Sequence, residues 1–114
     1  MTQYGNPMFF KILDELRALH IKKGQDYGTA NDPLANVRAS VDWGVPSWVG
    51  TLIRANDKVI RLQSAAKGSK LVNEGIEDSL VDLASYAIIA LALYREDNDT
   101  KQAMVITEDL RKDL

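Results

Sequence analysis

The chain reads as all-α, a small bundle of four to five helices. Three observations predict this. Apolar residues recur at intervals of three and four through every long segment. No stretch alternates apolar and polar residues between hairpin turns. Glycine, proline, asparagine and aspartate cluster between the periodic segments rather than inside them. With 114 residues there is room for one domain, 1–114, with a modest core. An apolar fraction of 46% and a charged fraction of 26% are those of an ordered globular protein.

The first helix is expected over about residues 7–23. Phe9, Ile12, Leu13, Leu16 and Leu19 form its apolar stripe, Asn6 is placed to cap it, Pro7 suits its first position, and Gly24 is a natural terminator. Residues 25–33 are rich in glycine, asparagine, aspartate and proline and read as a loop. A short helix over about residues 34–41 follows, broken by the Trp43–Gly44–Val45–Pro46 segment. The next helix, about residues 47–67, has Ser47 in the N-cap position and Gly68 past its end. Another spans about residues 73–96. Asn98, Asp99 and Thr100 stop it, and a last amphipathic helix begins near Thr100 with Ala103, Ile106 and Leu110 on one side. Trp43 and Trp48 read as core or interface anchors.

Composition excludes several chemistries. There is no cysteine, so disulfides, zinc–thiolate sites and thiol nucleophiles are absent, and a reducing cytoplasm is the expected compartment. A single histidine, His20, cannot build a multi-histidine metal site within one chain, and it is assigned no chemistry. The net charge of −2 gives no global reason for binding nucleic acid or an anionic membrane. No signal peptide is evident, and the apolar stretch near residue 80 is too short to span a bilayer.

Asp82 is the most informative residue. It interrupts an almost wholly apolar run, Leu80 to Tyr94. A carboxylate directed at the interior must be paired, protonated or bound to a metal. Asp78 lies one turn earlier on the same face, with Glu77 and Glu74 nearby. Like charges at that spacing call for a cation, either a divalent metal or basic side chains from a neighbouring helix. On the 47–67 helix, Arg54, Asp57, Lys58 and Arg61 fall at i, i+3, i+4 and i+7 and make one charged stripe. An isolated stripe of this kind is usually a solvated face of weak local pairs. Packed antiparallel against the Asp82 helix, it becomes one wall of a mixed acidic and basic cleft. Oxygen ligands there suit Mg²⁺, and the arginines and lysines suit phosphate.

Several short segments follow one another in order: Asp26–Tyr27–Gly28, the run Asp32 to Arg38, Gly44–Val45, the run Arg54 to Leu62, and the run Glu77 to Ala87. This succession resembles the nucleotide modification associated domain 1 family of small phage and bacterial proteins. That family is similar to the all-α nucleoside triphosphate pyrophosphatases, the MazG-like and dimeric dUTPase-like group. The resemblance covers about residues 22–94. It implies a helical bundle, an oligomer, an acidic Mg²⁺ site between two helices, and cleavage of a nucleotide between its α and β phosphates. The better-known pyrophosphatases carry two adjacent glutamates and a third one turn on. Here the helix offers Ile53, Arg54 and Asp57, so only the third acidic position is filled. Their later glutamate–aspartate pair would fall on Ser79 and Asp82, with Asp78 beside the vacant position.

The expectation is therefore a Mg²⁺-dependent (or Mn²⁺-dependent) nucleoside triphosphate pyrophosphohydrolase-like protein of phage nucleotide metabolism or base modification. The alternative is a non-catalytic protein that captures a nucleotide, or a nucleotide-derived signal, in the same pocket. Asp57, Asp78 and Asp82 are the candidate catalytic carboxylates, and with Glu77 the candidate metal ligands. Lys23, Asp26, Tyr27, Asn36, Arg38, Arg54, Lys58 and Arg61 are the candidate substrate contacts. A homodimer or homotetramer is expected because the helix after Asp82 is apolar on every side and needs a second chain beyond the three or four neighbours in its own to cover it. Nucleic acid and membrane are not expected partners.

Overall fold

A computed structural model describes residues 4–27, 34, 37–70 and 75–112, with side chains described as far as residue 102 and excluding that of Tyr27. Three α-helices and one 3₁₀ helix make a small helical bundle, and no strand occurs among the described residues. Helix α1 spans Pro7–Tyr27, the 3₁₀ helix Val37–Trp43, α2 Ser47–Ala66 and α3 Ile76–Lys112.

Local chemistry sets the element ends. The Asn6 side-chain oxygen accepts hydrogen bonds from the backbone N–H groups of Met8 (2.8 Å) and Phe9 (3.1 Å), the expected cap. Pro7 is the first helical residue. At the end of α2, Gly68 N–H donates to Ala65 and Ser69 N–H to Ser64, with Gly68 at φ +96°. This is a Schellman closure, and the left-handed conformation at that point is one a side chain resists.

Four expectations need correction. Helix α1 does not stop at Gly24 but runs on to Tyr27. A glycine inside a helix costs only about 1 kcal/mol, and the next proline is Pro33. Asp26 is therefore helical rather than in a loop. The short helix is of 3₁₀ type and runs to Trp43 rather than ending near residue 41. Pro46, not Ser47, occupies the cap of α2; Ser47 is the buried first helical residue. The two last helices are one, because residues 76–112 contain no glycine or proline. Asn98, Asp99 and Thr100 are each less than about 0.7 kcal/mol worse than alanine in a helix, too little to break it. The Thr100 hydroxyl is satisfied by donating to the Glu96 carbonyl at 3.0 Å.

The core lies where α2 packs on α3. Lys58 meets Asp82 and Trp48 meets Tyr94, so the numbers rise along one helix as they fall along the other and the pair is antiparallel. The Trp48 and Tyr94 rings are edge-to-face with centroids 5.5 Å apart. Leu93, Ala90 and Ser79 of α3 are buried, as are Ala55 and Thr51 of α2, Leu16 of α1 and Val37. The 3₁₀ helix lies so close on α2 that a Cβ at Gly50 would fall 2.5 Å from the Ser40 side chain. Trp43, in contrast, is 87% exposed and anchors no core within the chain. Arg38 ties the 3₁₀ helix to α3 through Glu96 at 2.9 Å. The C-terminal half of α1 lies against α3, joined to it by Lys23 and Asp82. Among the described residues no helix is long and apolar enough to cross a membrane.

Candidate functional site

One pocket of about 490 Å³ opens where α1, the 3₁₀ helix, α2 and α3 meet. Each α-helix contributes one stripe. From α1 come Leu19, His20, Lys23 and Gly24; from α2 come Arg54, Asp57, Lys58 and Arg61; from α3 come Asp82, Ser85, Tyr86 and Ile89. The α2 and α3 sets each follow the i, i+3, i+4, i+7 spacing that keeps side chains on one helical face. Leu34 and Val37 close the side near the 3₁₀ helix.

Asp82 is the centre of the polar part. Lys58 Nζ of α2 stands 3.0 Å from its Oδ2, and Lys23 Nζ of α1 stands 3.2 Å from its Oδ1. One carboxylate thus holds ammonium groups from two different helices. The Lys58 and Asp82 side chains are 15% and 22% exposed, so this pair is partly desolvated; Lys23, at 47%, keeps half its contact with water. The apolar setting of Asp82 in the sequence demanded a counter-charge, and Lys23 and Lys58 supply it.

Around this carboxylate the described residues of the pocket include four cationic side chains, Lys23, Arg54, Lys58 and Arg61, and two acids, Asp57 and Asp82. Among the described residues cations thus outnumber acids in the pocket, in a chain whose net charge is −2. Leu19, Leu34, Val37, Tyr86 and Ile89 supply an apolar wall beside the charges. The volume lies within the range of about 300–1,000 Å³ usual for small-molecule sites.

Six of the expected site residues meet here: Lys23, Arg54, Asp57, Lys58, Arg61 and Asp82. Others do not line the pocket. Asp26 is exposed near the end of α1, and Arg38 is engaged with Glu96. Glu77 and Asp78 belong to the first turn of α3, where the unsatisfied N–H groups favour acids, and the Asp78 carboxylate accepts a bond from Gly75 N–H at 3.4 Å. Asn36 and the side chain of Tyr27 lie outside the described residues. Conversely, the sequence reading assigned nothing to His20, although it precedes Lys23 by three residues and so shares its face. Ser85 and Tyr86 were equally detectable from their spacing to Asp82.

The described residues do not fit the expected Mg²⁺ site. A hard divalent cation needs several oxygen ligands around it. Among the described residues no group of three aspartate, glutamate or histidine side chains is assembled that could hold a metal ion. Of the four expected ligands only Asp57 and Asp82 face the pocket, and both oxygens of Asp82 already meet lysine.

A protein-family model described as nucleotide modification associated domain 1 matches residues 23–93, so the chain belongs to that family. No curated protein and no solved structure matches the chain. The family match begins at Lys23 and ends at Leu93, and so contains every charged residue of the pocket.

Proposed function

We propose that this member of the nucleotide modification associated domain 1 family binds a phosphorylated nucleotide in the pocket between its helices. One observation carries the reading: a cation-rich side and an apolar wall face each other across a cavity of about 490 Å³. A nucleotide has the same two-sided chemistry. Its phosphates are acceptor-only anions suited to Lys23, Lys58 and the forked guanidinium groups of Arg54 and Arg61. Its base offers an apolar face to Tyr86 and the neighbouring aliphatic side chains. The absence of cysteine is in keeping with a cytoplasmic protein meeting cytoplasmic nucleotides.

The finer reading is hydrolysis of a nucleoside triphosphate between its α and β phosphates. Its support is that Asp57 and Asp82 face one pocket, where a carboxylate can orient water beside phosphate-binding cations. Incubating the protein with the common and modified (d)NTPs, with Mg²⁺ or Mn²⁺ added, separates the two. Release of a monophosphate and pyrophosphate from one of them marks an enzyme. Saturable binding of a nucleotide with none released marks a binding protein.

The assembly we propose is a symmetric homodimer or a dimer of dimers. On α3, Leu80, Ala84, Ala87, Leu91 and Tyr94 follow the alternating four-and-three spacing of a helix-pairing seam. Leu80, Leu91 and Tyr94 are about half exposed, and so are Ile53 and Ile60 on α2. The radius of gyration, 18.4 Å, also exceeds the ~13 Å of a compact domain of this length. A second copy presents the same seam and is its natural cover. Light scattering is expected to return at least twice the chain mass of 12.7 kDa, and Leu91→Glu to lower it. A wild-type mass of 12.7 kDa at micromolar concentration contradicts this assembly.

A further inference from the structure

We infer that Asp82 is a built-in counter-ion of the phosphate subsite rather than a metal ligand, and that the pocket takes a phosphate or diphosphate group without a divalent cation. The inference rests on the proposed nucleotide-phosphate reading of the site and goes further by assigning the chemistry of its polar end.

The geometry around Asp82 carries it. Lys23 Nζ meets one carboxylate oxygen at 3.2 Å and Lys58 Nζ meets the other at 3.0 Å. Together the two ammonium groups supply the two positive charges a divalent ion would bring, and they come from α1 and α2 while the carboxylate belongs to α3. A metal bound to Asp82 would have to displace both lysines or lie beside them against like-charge repulsion. Among the described residues Asp57 is the one other carboxylate lining the pocket, and Asp78 is bonded at the α3 end to the Gly75 N–H.

A phosphate group offers the lysines what Asp82 offers them, an acceptor with negative charge. Asp82 therefore plays two parts. It holds two flexible lysine side chains in place when no ligand is bound, and it competes with an arriving anion for the same ammonium groups. Arg54 and Arg61 add positive charge on the same α2 stripe. Lys23, half exposed, is the less enclosed of the two lysines and the easier to turn from Asp82 towards a ligand.

This assignment makes the sign of one substitution diagnostic. Asp82→Asn keeps the shape and removes the competing charge, so it should tighten anion binding. Were Asp82 a metal ligand, the same change would weaken binding. The probe is sodium pyrophosphate, titrated calorimetrically into the full chain at constant ionic strength, once in EDTA and once with Mg²⁺. Wild-type protein is expected to bind in EDTA, Asp82→Asn about five-fold more tightly, and Lys58→Gln about ten-fold more weakly. Binding that appears only with Mg²⁺, or that weakens in Asp82→Asn, overturns the inference and leaves the nucleotide pocket standing. Failure of pyrophosphate to bind in either buffer overturns both. The EDTA titration of the wild type needs no variant, so an Asp82→Asn chain that failed to fold would still leave a decisive result.

Discussion

Replacing both Lys58 and Arg61 with Gln should weaken nucleoside triphosphate binding by about 100-fold. The two residues are three apart on α2 and line the same pocket. Each substitution removes one of the four cationic donors that line the pocket among the described residues. A charge-assisted hydrogen bond contributes about 1.5–3 kcal/mol when its partner is held in a partly desolvated site. The fold should survive, because Asp82 keeps Lys23 at 3.2 Å and the buried apolar residues of the α2–α3 core, Ala55, Ala90 and Leu93, are unchanged. Calorimetric titration measures the loss, and an unchanged helical circular dichroism spectrum shows that it is a loss of ligand contacts. Affinity within about three-fold of wild type would place the phosphates elsewhere.

The largest stability effect is expected at Leu93. Its side chain is fully buried at the α2–α3 junction, the only large aliphatic residue so enclosed among the described residues. Leu93→Ala removes that apolar contact and leaves a cavity, at a cost of about 2–5 kcal/mol. Against a domain stability of about 5–15 kcal/mol this is a large part of the total. Leu91, about half exposed two residues away, is the internal control. Leu91→Ala should cost far less in the isolated chain, with any further effect growing with protein concentration as the proposed interface is lost. Urea unfolding at several concentrations distinguishes the two. Equal, concentration-independent losses would contradict both the core and the interface assigned here.

Much of the site could be read in the sequence because charge placed against helical period is a strong signal. Arg54, Asp57, Lys58 and Arg61 share one face by spacing alone, and Asp82 stands out because its neighbours are apolar. Their meeting in one pocket follows from packing α2 antiparallel on α3. The rest was hidden for physical reasons. Asp78 shares a face with Asp82, but the sequence does not show that α3 begins at Ile76, which makes Asp78 an end residue bonded to Gly75. His20, Leu34, Val37 and Tyr86 look like ordinary helix or core residues, and only the approach of α1 and the 3₁₀ helix turns them into a wall. The helix ends went astray at Gly24 and at Asn98–Thr100 because propensities of under or about 1 kcal/mol per residue were read as stops. Where the signal was stereochemical rather than statistical, as at Asn6 and Gly68, the ends fell where expected.

The most direct test of the central claim is equilibrium binding of the common (d)NTPs to the full chain, in EDTA and in Mg²⁺, with the Lys58→Gln/Arg61→Gln protein beside the wild type. The predicted result is saturable binding of at least one nucleotide to wild type, persisting in EDTA, weakening as salt is raised, and lost in the double variant. Binding of none of them, or binding that the double variant retains in full, would contradict the assignment of this pocket as the nucleotide site.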